Sequence, residues 1–332
     1  MNWDMLGHEW AVNLLKEHLA QGNLRHAYLF TGPQGVGRRT LALRLAQALN
    51  CTNPQAPGVP CRTCPNCIQI ERMQHPDLAI IEADQKGGTL KVDQIRELQR
   101  SLSLAPYQAR YRVAVLLRFE EANPNAANAL LKTLEEPAPQ VVLIITAESA
   151  ESLLPTIVSR CEVLRLRPLS LETTAQGLQT RWGLPPEEAR LLAHLSGGQP
   201  GYALHMHQSP EQMEARISWL NDHFHLLKSN RVERFAYAES LARDRDRLRG
   251  TLQVWLSLWH DVLLQASGST VPLANLDYSE QIESLSSHCD LNTSYQMVSN
   301  LERTFELLER NVNARLAIEV LMLDLPTYRF VN

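Results

Sequence analysis

The sequence predicts an α/β protein: a mainly parallel sheet with helices on both faces, then a small helical domain and an all-helical C-terminal domain. Two observations carry this expectation. As far as Leu166, short apolar runs alternate with helical patterns, which is the signature of βαβ units and a parallel sheet. From Pro168 onward the strand signals stop, and the chain reads as helix punctuated by Pro and Gly. A chain of 332 residues also exceeds the usual size of a single core, so two or three domains are expected.

The elements follow in order. Tyr28–Thr31 is a short apolar run that ends in a Gly-rich loop, and Arg39–Asn50 continues with Leu41, Leu43, Leu45, Ala46 and Leu49 at helical spacing. That is a strand, a loop and a helix. Further strands are predicted at Leu78–Glu82, Arg112–Leu117, Val141–Thr146 and Val163–Leu166, separated by helices at Val92–Leu102, Asn125–Leu134 and Ala150–Val158. Leu171 to about His207 is short and helical, with Pro185-Pro186 and Gly197-Gly198 as breakers. After Gln208-Ser209-Pro210 helix dominates, broken near Ala266–Pro272 and Ser286–Cys289. Leu252, Trp255, Leu256, Trp259 and Leu263 form an apolar stripe for a core or a partner helix. The alternating charges of Arg243–Arg247 read as a solvated face.

The Gly-rich loop, Gly32-Pro33-Gln34-Gly35-Val36-Gly37-Arg38-Arg39-Thr40, has the outline of a phosphate-binding loop. The working pattern, G-x-x-x-x-G-K-[ST], wraps backbone N–H groups around phosphate, places a Lys on the β/γ oxygens and gives a hydroxyl to Mg²⁺. Gly32, Gly35 and Gly37 keep the outline, but Arg38 stands at the Lys position and Arg39 at the hydroxyl position. Arginine is a wide planar fork that attracts anions, unlike the compact ammonium of Lys, and Arg39 cannot ligate a metal. ATP or ADP binding is therefore not expected to support turnover. An ATPase of this plan also ends its Arg112–Leu117 strand in an acidic pair for Mg²⁺ and the attacking water. Leu117-Arg118 occupy that place, with Glu120-Glu121 beyond it. Two independent elements of hydrolysis are missing.

Cys51, Cys61, Cys64 and Cys67 have the spacing C-x9-C-x2-C-x2-C among Pro54, Pro57, Pro60 and Pro65. Four thiolates match the tetrahedral demand of Zn²⁺, and with no position left for water such a zinc is structural. The plain alternative is four unpaired thiols in a loop. Cys161 and Cys289 stand apart and read as small buried residues.

Asn128-Ala129-Leu130-Leu131-Lys132-Thr133-Leu134-Glu135-Glu136-Pro137, followed by Ser159-Arg160-Cys161, resembles the clamp-loader branch of the AAA+ superfamily. The four-Cys insertion, His26–Phe30 and Asn311–Ala317 are similar to its bacterial subset. The resemblance implies a AAA+ domain at 1–167 with the zinc module at 51–67, a lid at 168–208 and an oligomerising collar at 209–332. It implies that Arg160 is an arginine finger acting in trans on a neighbour's ATP site, worth on the order of 10³–10⁵ in turnover. The plain alternative is a surface pair with a carboxylate such as Glu162. The family's motor subunits carry a γ-phosphate sensor where Ser196–Leu204 places Gly201. Thr146 matches the first sensor position and reads as a strand-end hydroxyl. The implied partners are the motor (gamma/tau) and clamp-opening (delta) subunits and, through the complex, a sliding clamp and primed DNA.

The formal charge of −4, from 32 basic and 36 acidic residues, gives no whole-chain argument for nucleic-acid or membrane affinity. No cationic leader and no bilayer-length apolar run are visible, so a cytoplasmic protein is expected. The implied role is a stationary, non-hydrolysing subunit. Its rivals are an active motor of the same branch and a zinc-containing DNA-binding protein. The latter is weakened because Arg62 is the single basic residue between Cys51 and Cys67.

Overall fold

The computed structural model describes residues 3–85, 88–310 and 312–327. Asn311, the first residue of one family motif, lies outside them. The chain divides into two compact units, Met1–Gly177 with Gly198–Tyr202, and Leu178–Gly197 with Ala203–Asn332.

The first unit runs α1 (Glu9–Gln21), β1 (Ala27–Thr31), α2 (Arg38–Asn50), α3 (Pro65–Glu71), β2 (Leu78–Ile81), α4 (Val92–Leu102), β3 (Arg112–Leu116), α5 (Pro124–Glu135), β4 (Val141–Ala147), α6 (Pro155–Val158) and β5 (Glu162–Arg165). The strands form one parallel sheet in the order β2-β3-β4-β1-β5. Every residue of β1, β3 and β4 is buried, whereas at the edges β2 is half-buried throughout and β5 runs from half-buried Glu162 and Val163 to exposed Arg165. Continuous apolar runs suit strands covered on both faces. One face packs Leu15, Leu41 and Leu45 from α1 and α2 against Tyr28, Phe30 and Val115, and the other packs Ile95, Leu98 and Leu130 from α4 and α5 against Leu29, Leu116 and Ile145.

Three helices depart from expectation, among them α3, which the Pro-rich turn sequence around the cysteines does not announce. The segment expected to be helical from Ala150 is helical only from Pro155. Proline fits the first helical position, and it pushes the preceding residue, Leu154, into extended backbone (ψ 130°). Helix α1 was not read from the sequence at all. Its N-cap, His8, sits at φ 60° with no side-chain capping bond, so the usual start signal is missing.

Helices α7 (Leu171–Trp182) and α9 (Pro200–Gln208) begin in the first unit and end in the second, with α8 (Pro186–Leu195) between them. The second unit continues with α10 (Pro210–Lys228), α11 (Arg231–Leu241), α12 (Arg245–Ala266), α13 (Ser279–His288), α14 (Leu291–Glu309) and α15 (Ala314–Asp324). No strand occurs in it among the described residues. Leu252, Trp255 and Trp259 of the predicted stripe are fully buried at its centre, with Leu256 and Leu263 packed against them. The Trp259 indole donates to His223 at 2.8 Å, and burial pushes that imidazole down to about 3, so it stays neutral. Of the charge run, Asp244 caps α12 by accepting from the Asp246 and Arg247 amides. Among the described residues no helix is long and apolar enough to cross a membrane.

Candidate functional sites

The Gly-rich loop leaves the C-terminal end of β1 and opens α2. Gly32, Gly35 and Gly37 have φ of 145°, 83° and 112°, backbone that side chains rarely adopt. The loop thus has the curl of an anion cradle, but its own chain covers it. The Gly35 carbonyl accepts the Gly201 amide at 2.8 Å, and a Cβ at Gly35 would stand 2.6 Å from the Tyr202 nitrogen. The His8 imidazole makes a 3.0 Å hydrogen bond to the Val36 carbonyl. Gly201, at the family's sensor position, therefore holds the loop through its backbone.

Arg38 is 8% exposed, and its Nη1 has no hydrogen-bond partner among the described residues. Burial lowers its pKa, while the charges of Glu120 and Glu148 oppose that shift. Glu120 is in turn raised, chiefly by burial. The charge standing where Lys would meet phosphate is therefore balanced from within the chain. Glu148 follows β4, and the Glu120 carboxylate comes from the short helical turn after β3; both are distant from Arg38 in sequence. β3 ends at Leu116, and Leu117-Arg118 follow it, with Arg118 at φ 49° and paired with Glu82 and Glu121. Thr146 accepts the Arg118 amide at 3.0 Å and donates to the Leu116 carbonyl at 3.4 Å. Its hydroxyl is occupied by the backbone.

Arg160 lies at the other edge of the sheet. It follows α6 and precedes β5, and β5 pairs in parallel with β1 in the register Tyr28↔Glu162 and Thr31↔Arg165. Arg160 thus stands before the N-terminal edge, while the loop leaves the C-terminal edge, roughly 20 Å away at strand spacing. It cannot serve its own loop. Its guanidinium donates to the Thr156 carbonyl at 2.9 Å and to the Glu135 carboxylate at 2.8 Å, and its side chain is 35% exposed. The two family motifs, at the ends of α5 and α6, meet in this contact. Arg160 thus makes the surface ion pair of the plain alternative, but with Glu135 as the carboxylate, while Glu162 faces Arg25 at 3.7 Å.

The four cysteines converge. Their sulfurs all lie within 4.8 Å of one another, with Cys61 and Cys67 buried and Cys51 and Cys64 half-buried. Tetrahedral thiolate ligation at about 2.3 Å places sulfurs about 3.8 Å apart, so the cluster can hold a metal ion. Cys51 caps the C-terminus of α2, Cys64 is the N-cap of α3 and Cys67 lies within α3. The Cys61 amide donates to the Cys51 sulfur at 3.2 Å and the Cys64 amide to the Cys61 sulfur at 3.3 Å, bonds that favour thiolates. The module is pinned to the domain where Trp3 donates to the Gly58 carbonyl at 2.8 Å and Arg62 pairs with Asp4. The remaining two cysteines lie elsewhere, Cys289 buried and Cys161 half-buried, where burial pushes the Cys161 thiol up to about 12.

The family model described as DNA polymerase III, delta subunit, matches residues 7–170. DNA polymerase III subunit delta' of Bacillus subtilis is 28% identical over 321 residues, covering 95% of this chain and 94% of that protein. The chain resembles the delta-prime subunits of bacterial DNA polymerase III. The Pseudomonas aeruginosa subunit delta' is 36% identical over 214 residues, 63% of this chain and 64% of that one. The tau subunit of Escherichia coli is 35% identical over 176 residues, 53% of this chain but only 27% of tau. Likeness to delta' thus runs along nearly the whole chain, and likeness to tau covers about half of it.

Proposed function

We propose that the chain is a non-hydrolysing subunit of a DNA polymerase III clamp loader, and that it lends Arg160 to the ATP site of a neighbouring motor subunit. The observation that carries this reading is the separation of the two features across the sheet. Arg160 stands before the N-terminal edge of β5, away from the chain's own loop, which is tied to Gly201 and balanced by Glu120 and Glu148. In the neighbour's site the guanidinium would stabilise charge on the transferring phosphoryl group, the contribution general to arginine fingers. Until then the side chain is bonded to Glu135 and to the Thr156 carbonyl.

Residues 1–167 act on this reading as the AAA+ domain, 168–208 as a lid and 209–332 as a collar that joins gamma/tau and delta subunits. Cys51, Cys61, Cys64 and Cys67 would hold one structural Zn²⁺, which supplies a crosslink and no chemistry. The sliding clamp and primed DNA are engaged through the complex, in the cytoplasm. An active motor is the poorer reading, because Arg39 offers no metal ligand and Leu117-Arg118 offer no acid. The test is reconstitution with motor and clamp-opening subunits. Omitting this chain abolishes most DNA-stimulated ATP turnover if the reading holds. Full turnover without it, or magnesium-dependent turnover by the isolated chain, overturns it.

A further inference from the structure

Helix α2 has a polar face where a helix in a sheet's shadow is expected to be apolar. Arg44, Gln47 and Asn50 are 5%, 0% and 4% exposed. Burying such groups is costly unless each is bonded, and here the bonds run to the cysteine module. Gln47 Nε2 donates to the Cys67 carbonyl at 2.8 Å and to the Glu71 carboxylate at 2.8 Å. Arg44 donates to Gln47 Oε1 at 2.8 Å and pairs with the same Glu71 oxygen. Asn66 of α3 donates to the Asn50 carbonyl at 2.9 Å, and Asn50 exchanges two hydrogen bonds of 2.9 Å with the Tyr111 backbone.

The spacing gives this seam a direction. Residues 44, 47 and 51 share one face of α2, and residues 67 and 71 share one face of α3. The seam therefore joins the helix that ends in Cys51 to the helix that begins at Cys64 and carries Cys67. Its central bond falls on the peptide of a cysteine in the cluster. We propose that Gln47, backed by Arg44 and Glu71, is a positioning residue for the metal site: it fixes α3 on α2 so that the four sulfurs converge before the ion arrives. This rests on the reading of the cluster as a metal site. Outer groups of this kind are worth 10–100-fold in metal affinity.

The experiment is zinc competition against a chromophoric chelator, with melting measured on zinc-saturated and zinc-free protein. Gln47→Leu keeps the bulk and loses both donated bonds; Ile70→Val trims a fully buried neighbour without touching the seam. The expected result is zinc affinity 10–100-fold weaker in Gln47→Leu and unchanged in Ile70→Val, with zinc-saturated Gln47→Leu folded. Unchanged affinity in Gln47→Leu, with melting lowered equally in the two states, overturns the proposal and makes the seam merely structural. Should Gln47→Leu fail to fold, Arg44→Lys is the second variant and is read the same way. Wild-type protein that takes up no zinc overturns the metal reading itself, and this proposal with it.

Discussion

Replacing Cys61 and Cys64 by Ser removes two of the four sulfurs that lie within 4.8 Å of one another. Beyond its bonds to the rest of the domain, the 51–67 segment has little of its own to close it. Its internal backbone pairing is the isolated Ala56↔Val59 bridge, and its buried residues are Pro60, Cys61 and Cys67. A crosslink closing a loop of this length restrains the unfolded chain by about 3 kcal/mol. In a domain of this size each kcal/mol moves the midpoint by about 2–4 °C, so loss of the metal should lower Tm by roughly 6–12 °C. Calorimetry with and without chelator, on wild type and on Cys61→Ser/Cys64→Ser, reads this directly. Wild type should melt lower with chelator, and the double variant should melt low in both conditions. Wild-type protein that carries zinc yet melts identically with chelator would refute the crosslink reasoning.

Three further outcomes are expected. The isolated chain should show no magnesium-dependent binding of a fluorescent ATP analogue, because Gly201 and Tyr202 close on Gly35; tight binding would contradict that geometry. Gly35→Ala should destabilise the chain by about 1–3 kcal/mol in urea titration, through φ 83° and the approach to Tyr202. Asp77 accepts the amides of Tyr107, Gln108 and Ala109 at 2.7–2.9 Å and faces Arg112 at 3.3 Å. Burial would raise its pKa, but these partners overcome that and hold it below the usual carboxylate range. Its contribution is present above the unfolded value near about 4 and is lost as pH falls through the lower folded value. Asp77→Ala should cost about 3–5 kcal/mol near neutrality by stranding buried Arg112, and should flatten the acid limb of a stability-versus-pH curve.

The sheet was legible because β1, β3 and β4 are buried on both faces and read as unbroken apolar runs. The cysteine cluster was legible because four thiols at short spacing have one common use. What stayed hidden depends on contacts distant in sequence. Nothing near Arg38 announces that Glu120 and Glu148 will balance it, since each follows a different strand. Gly201 could be matched to a sensor position, but not read as the backbone partner of Gly35. Arg44, Gln47 and Asn50 would pass for the solvated side of an amphipathic helix. Only the docking of α3 shows that side to be inside. Ala150–Leu154 looked helical by composition, and Pro155 decided otherwise.

The proposed role of this chain stands or falls on Arg160, and the decisive substitution is made in the reconstituted complex. In the free chain the residue makes one partly exposed ion pair, with Glu135, and one bond to a carbonyl. Arg160→Ala should therefore cost no more than about 1 kcal/mol of stability and leave assembly intact. DNA-stimulated ATP turnover at the site that Arg160 completes should nevertheless fall by about 10³ or more, lowering the turnover of the complex, and Arg160→Lys should not restore it, because a point charge does not reproduce the planar fork. Full turnover in a correctly assembled Arg160→Ala complex would rule out the finger.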